Sequence, residues 1–187
     1  MDIIERIKGI LLNPNEEWQT IAGEKTPIVD LYKNYIIILA AIVPVATFIG
    51  FSLVGVNLPV VGSYRVPILT GIAQAVVQYI LTLVGVYVLA FIIDALAPTF
   101  SGEKNMDQAF KLAAYSYTPA WLAGVFMIIP ALSILGILGL YSLYLLYLGL
   151  PVLMKSPKEK SLVYTVAVIV AAIVIFVVIS AVSRVFV

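Results

Sequence analysis

Long uncharged runs of apolar residues alternate with short polar segments along this chain. The hydrocarbon core of a bilayer is about 30 Å thick, so an uncharged apolar run of about 18 or more residues predicts a membrane-spanning helix. Such runs predict five spans, at about residues 35–53, 68–93, 112–129, 134–153 and 162–182. We therefore expect an all-α, polytopic integral membrane protein whose transmembrane domain covers residues 34–187.

Proline, glycine and charged residues predict where these spans bend or end. Pro44 cannot donate to the Ala40 carbonyl, which predicts a bend or local opening in the first span. The Gly- and Pro-rich stretch 55–67 is expected to form a loop, and Asp94 to end the second span. A tight turn between the third and fourth spans is predicted from Pro130, Ser133 and Gly136.

The polar N-terminal segment, residues 1–33, is predicted to contain short amphipathic helices. Apolar residues recur there at helical spacing: Ile3, Ile7, Ile10 and Leu11. Asn13 and Pro14 can begin a second helix, which carries Trp18. The first helix could lie in the headgroup plane or dock on the protein's own cytoplasmic face. No signal-peptide pattern is present, so we expect this segment to be retained.

The distribution of lysine and arginine predicts the orientation, because short cytoplasmic loops are enriched in both residues. Nine of them fall on one predicted side: Arg6, Lys8, Lys25, Lys33, Lys104, Lys111, Lys155, Lys158 and Lys160. Only Arg65 and Arg184 fall on the other. The N-terminus is therefore expected in the cytoplasm and, with five spans, the C-terminus outside.

Composition narrows the chemistry further. The chain is 63% hydrophobic and only 11% charged, whereas soluble domains are about 45 to 50% apolar and about 25% charged. It contains no Cys and no His, which excludes thiolate, zinc and haem sites built on those residues, and also Ser-His-Asp catalysis. At a formal net charge of +1, nucleic acid is not an expected partner. We expect neither a cofactor nor an enzymatic activity.

A candidate intramembrane polar site consists of side chains that would need partners in hydrocarbon. Its members are Gln74, Gln78, Tyr115, Ser116, Tyr117, Pro119 and Tyr144. By depth, Gln78 and Tyr144 are predicted to hydrogen-bond to each other. Pro119 leaves the Tyr115 carbonyl without its usual donor, which predicts a bend where a ligand could bind. Structural bonding between helices is the preferred interpretation, and a polar pathway for transport the alternative.

Two charged residues are candidates for an interfacial role. Asp94 is expected at or just beyond the cytoplasmic edge of the second span, where its carboxylate can reach water. An anchor paired with Lys111 is the preferred interpretation, and a proton or cation site remains the alternative.

Two short stretches resemble the motifs of the Ypt-interacting-protein (Yip) family. Asp30-Leu31-Tyr32 is similar to the start of its Asp-Leu-Tyr-Gly-Pro motif, although Lys33 and Asn34 replace Gly-Pro. The stretch from Ala114 to Pro119 is similar to its Gly-Tyr-Ser-x-x-Pro motif, with Ala114 in place of Gly. The resemblance implies five spans and a cytoplasmic N-terminus. Eukaryotic relatives bind Rab-type GTPases, but this short N-terminal segment resembles that of prokaryotic members, which makes a Rab partner doubtful.

The sequence therefore favours a non-enzymatic membrane scaffold or partner-binding module acting in membrane organisation or trafficking. Its expected partners are the lipid bilayer and other membrane proteins or a second copy of itself. The expected location is the plasma membrane of a prokaryote, or the ER or Golgi membrane if the source is eukaryotic. A small transporter or channel is the alternative function, and a lipid-modifying enzyme is a weaker third.

Overall fold

The computed structural model of the protein describes residues 2–58 and 62–185. The side chain of Arg184, used above in the charge count, lies outside the described part. Within these ranges the chain forms helices α1 Ile3–Leu12, α2 Pro14–Gly23, α3 Ile28–Leu31, α4 Ile37–Ala40, α5 Ile42–Phe48, α6 Ile68–Leu96, α7 Met106–Ser116, α8 Thr118–Ala123, α9 Tyr141–Leu153 and α10 Ser161–Val185. The all-α membrane-protein class predicted from the apolar runs is confirmed.

Helices α1 and α2 pack against the rest of the protein. The Asp2 carboxylate caps α1 by accepting from the Ile4 N–H at 3.0 Å, and Pro14 occupies the first turn of α2. Ile10, Trp18 and Ile21 are completely buried, and α2 packs along α9. Of the two alternatives for the first helix, the structure therefore shows docking on the protein itself.

The first predicted span is a helical stretch that extends from Ile28 to Val54. It consists of α3, α4 and α5, joined by π-helical turns at Tyr32–Ile36 and Ile49–Val54. The helix is interrupted at Ala41, three residues before Pro44, so the predicted disturbance is confirmed. The stretch begins seven residues earlier than expected because the polar residues around Lys33 remain helical.

The loop predicted after this span contains a short β-hairpin. Strands β1, Val56–Leu58, and β2, Gly62–Tyr64, pair antiparallel, with Val56 opposite Tyr64. Gly55 enters the hairpin at a φ of 88°, a conformation that glycine adopts at little cost.

Helix α6 corrects the expectation that Asp94 ends the second span. The helix continues through Asp94 to Leu96 and then as a 3₁₀-helix over Ala97–Phe100. The Asp94 side chain is mostly shielded and lies 3.9 Å from Lys104, so the carboxylate is accommodated within the last helical turns. Apolar Ala95 and Leu96 can therefore extend the helix past it.

The third and fourth predicted spans also differ from expectation. A single helix over 112–129 is wrong, because α7 ends at Ser116, α8 covers only Thr118–Ala123, and a 3₁₀-helix follows at Gly124–Ile128. The chain reverses at extended Ile129 rather than over Pro130 to Gly136, which are helical instead. Residues Pro130–Leu153 form one helical stretch, 3₁₀ up to Leu140 and then α9.

Three helical stretches of the described residues are long and apolar enough to cross a membrane: Ile28–Val54, Ile68–Phe100 and Pro130–Leu153. Helix α10 adds 25 residues, or about 38 Å at 1.5 Å per residue. The count of five spans therefore stays a prediction. Buried side chains concentrate where α1, α2, α7 and the ends of α6 and α9 meet, whereas no residue of Pro130–Leu140 is buried.

Candidate functional site

The two motif-like stretches meet in the folded chain. Tyr35, one turn after Asp30-Leu31-Tyr32, packs edge-on against Tyr115, with ring centroids 4.8 Å apart. The Tyr35 hydroxyl shares a hydrogen bond of 2.7 Å with the Thr118 hydroxyl. Tyr35, Tyr115 and Thr118 are all buried. Together with Arg6, these three residues form what we call the motif core.

Each residue of the first stretch has a different environment. Leu31 is buried in the core. Tyr32 donates a hydrogen bond of 2.8 Å from its hydroxyl to the Leu83 carbonyl on α6, and its ring lies 5.2 Å from Phe110. Asp30 is exposed at the edge of a cavity beside the motif core. The stretch therefore joins the first span to α6 and α7.

Arg6 brings the N-terminal segment into the motif core. Its side chain is 3% exposed, forms ion pairs with Glu17 and Glu24, and places the guanidinium carbon 5.1 Å from the centre of the Tyr115 ring. Sequence reasoning missed this role. The spacing of residues could have revealed it, because Arg6 lies three residues after Ile3 and four before Ile10. These spacings place Arg6 on the buried face of α1.

Lys111 binds the end of α2. Its ammonium group donates to the carbonyl of Ile21 at 2.8 Å and to that of Glu24 at 2.9 Å. These groups belong to the C-terminal end of α2, where a positive charge is favoured. Burial lowers the pKa of Lys111, and the charge of Glu24 opposes this effect. Gln108 adds a third link by donating to the Ala22 carbonyl at 3.0 Å.

The predicted pairing of Asp94 with Lys111 is therefore wrong. The nearest cation of Asp94 is Lys104, at 3.9 Å, and Lys104 is largely exposed. Lys111 points toward α2 because that helix end offers backbone acceptors in a shielded place, which a sequence pattern does not reveal.

A cavity of about 190 Å³ lies between α1, the start of the first span and α7. The carboxylates of Asp2, Glu24 and Asp30 line it, together with Arg6 and Tyr115. In the residues described, no group of three or more His, Cys, Asp or Glu side chains is placed to hold a metal ion. Arg6 already pairs with two carboxylates, so the arrangement is that of an ion-pair network joining α1 to α2.

The intramembrane polar residues do not form one site. Gln74, Gln78 and Tyr117 line an open groove along α6. The predicted hydrogen bond between Gln78 and Tyr144 does not form among the described residues. The Tyr144 ring instead lies 5.5 Å from Tyr141.

Pro119 does not bend a continuous helix, because the break lies two residues earlier, at Tyr117. Tyr117 caps the end of α7, its N–H donates to the Ala113 carbonyl at 3.3 Å, and Pro119 lies in the first turn of α8. Proline is well tolerated there because that N–H would have no helical partner. The Ser116 hydroxyl is buried and has no hydrogen-bond partner among the residues that the structure describes, and it lies beside a cavity of about 220 Å³ between α7, α9 and α10. A bend in this stretch is thus confirmed, with its geometry corrected.

The sequence of this chain matches a known protein family over most of its length. The model of the Yip1 domain matches residues 8–179, which include both motif-like stretches and most of the N-terminal helices. The chain is also 28% identical over 127 residues to two relatives named "Inner membrane protein YohC", one from Escherichia coli strain K12 and one from Escherichia coli O6:H1, strain CFT073. The match covers 68% of this chain and 65% of each relative, slightly less than two thirds of their length. No solved structure matches. The family model covers nearly the whole chain, and the protein therefore belongs to the Yip1 domain family.

Proposed function

We propose that this protein is a non-enzymatic, multi-pass scaffold of the prokaryotic plasma membrane that associates with a second copy of itself through α6. The proposal includes the orientation predicted from the basic residues, with the N-terminal helices in the cytoplasm. The name of the E. coli relatives, which places them in the inner membrane, supports the location. A Rab-type GTPase has no part in the proposal.

The observation that carries the proposal is a groove of about 690 Å³ along one face of α6. Gln74 is exposed in it and Gln78 is half-buried. Within residues 2–58 and 62–185, neither carboxamide hydrogen-bonds to another group, although the Gln78 backbone carbonyl accepts from Thr82 at 2.8 Å. An amide facing hydrocarbon without a partner is costly, so a second helix bearing polar groups would stabilise this face.

A second copy is the occupant that suits this chemistry. A carboxamide carries both donors and an acceptor, so two identical glutamines can bond reciprocally across a two-fold axis. Gly85 lies in the same groove, and a Cβ added to it would meet no atom within 4 Å. The backbone is therefore open to close approach by another helix, as at other small-residue contacts between membrane helices.

Replacement of both glutamines by leucine, Gln74→Leu with Gln78→Leu, is expected to weaken self-association by about tenfold. Interhelical hydrogen bonds in membranes contribute about 0.6 to 2 kcal/mol each, and the double variant removes several of them. Dilution of fluorescently labelled protein in lipid vesicles, followed by energy transfer, would measure the dimer affinity.

Ile80→Ala is the matched control, because Ile80 is exposed on α6 but does not line the groove. It should leave the affinity unchanged. Equal association by the double variant and the unaltered protein would overturn the proposal. Selective flux of a solute through vesicles, abolished by Gln78→Leu, would instead establish the transporter alternative.

A further inference from the structure

We propose that the cleft between α2, the last turns of α9 and the loop before α10 binds the headgroup of an anionic glycerophospholipid. The cleft has a volume of about 360 Å³. It lies among the basic residues that predict the cytoplasmic side, at the ends of two long apolar helices, and therefore at the depth of the lipid headgroups.

The lining of the cleft divides into a polar part and an apolar part. Asn15, Gln19, Tyr147, Lys158 and Ser161 contribute amide, hydroxyl and ammonium groups. Leu148, Pro151 and Val152 form the apolar part on α9. A phospholipid presents the same division, with a phosphodiester and glycerol next to acyl chains, whereas a soluble phosphate ester lacks the apolar half.

The charge of the lining favours an anion. Lys158 is its one cation, and no carboxylate lines the cleft in the described part of the chain. The two neighbouring lysines are already engaged, since Lys155 pairs with Glu103 at 2.6 Å and Lys160 donates to the Ser101 hydroxyl at 2.7 Å. Lys158 makes no such bond to any described residue. One available positive charge matches the single negative charge of a phosphodiester whose headgroup carries no ammonium.

The backbone of α9 adds an acceptor to the donors of the cleft. Pro151 lies inside this helix and has no N–H to offer the Tyr147 carbonyl four residues earlier. A carbonyl without its helical donor can accept a hydrogen bond from a ligand hydroxyl. Donors for a phosphate and an acceptor for a hydroxyl fit a glycerol headgroup, as in phosphatidylglycerol.

Binding can be measured on the full-length protein in detergent by native mass spectrometry during titration with phosphatidylglycerol or phosphatidylcholine. We expect retention of one phosphatidylglycerol molecule in clear preference to phosphatidylcholine. Lys158→Gln should weaken its retention by about tenfold, the effect expected for a hydrogen bond to a charged group. Val152→Trp, which fills the apolar part, should also reduce retention.

Lys155→Gln is the matched control, since it removes the same charge from the same loop at a residue bound to Glu103. It should leave lipid retention nearly unchanged. An equal loss in both lysine variants would show diffuse surface attraction and overturn the site. Equal retention of phosphatidylcholine would overturn the preference for anionic lipid. Glycerol 3-phosphate that binds as tightly as the lipid would identify a soluble phosphate ester as the ligand and overturn the lipid assignment.

Discussion

Replacement of Arg6 by methionine is expected to loosen α1 from α2 and from Tyr115 of the motif core. Arg6 is 3% exposed and is the shared partner of Glu17 and Glu24. Removing one member of a buried ion pair leaves the others shielded and uncompensated, at a cost on the order of 3 kcal/mol. Amide hydrogen exchange in lipid nanodiscs should therefore show the residues of α1, 3–12, exchanging roughly 100-fold faster than in the unaltered protein.

Lys8→Met is the matched control for Arg6→Met, because Lys8 carries the same charge on the same helix but is exposed. Exchange of residues 3–12 should be unaffected in this variant. Equal acceleration by both substitutions would show that net charge, and not the buried network, holds α1 in place. If Arg6→Met does not accelerate amide exchange, the ion-pair network does not hold α1 in place.

Replacement of Trp18 by alanine is expected to produce a destabilisation of similar size, for a different reason. Trp18 is completely buried, and its ring lies so close to Gly149 that a Cβ added there would approach its Cε2 atom to 2.9 Å. Truncation of a buried tryptophan costs about 3 to 5 kcal/mol because it leaves a cavity. Thermal unfolding in detergent, monitored by circular dichroism, should show a lower midpoint.

Trp18→Phe separates lost volume from lost hydrogen bonding. The indole Nε1 is buried and has no hydrogen-bond partner in the described part of the chain, so phenylalanine removes an unpaired donor while its ring retains most of the packing. This variant should be much closer in stability to the unaltered protein than Trp18→Ala. Equal losses from the two substitutions would contradict a cavity as the cause.

The apolar runs predicted the long helices because the thickness of the bilayer sets the length of run that can span it. The length of an uncharged apolar run is a local property that can be read directly from the sequence. Pro44 likewise acts on its own helix, and the interruption at Ala41 lies where proline chemistry requires one. The break at Tyr117 lies within the predicted bend, but the start of a new helix at Thr118 was not predicted, because Pro119 is compatible both with a kinked helix and with the first turn of a new one. Tertiary packing decides between these possibilities.

The partners of the charged residues could not be predicted for a related reason. Lys111 and Glu24 are far apart in sequence, and only the docking of α2 brings the ammonium group to the Glu24 carbonyl. The same holds for Arg6, which looked like one polar residue of an amphipathic helix. The motif-like stretches were recognised separately, but their contact through Tyr35 and Tyr115 is a property of the fold.

Cross-linking between α2 and α7 tests most directly whether the N-terminal helices dock across the motif core. The chain contains no cysteine, so Ala22→Cys with Gln108→Cys introduces one defined pair, at residues joined by a hydrogen bond of 3.0 Å. In native membranes, a short bis-maleimide should link this pair efficiently within one chain. Thr20→Cys, exposed on α2, should link poorly to the same Gln108→Cys. Absence of the first link, with both cysteines freely reactive to a single maleimide, would show that α1 and α2 lie elsewhere and would contradict the account.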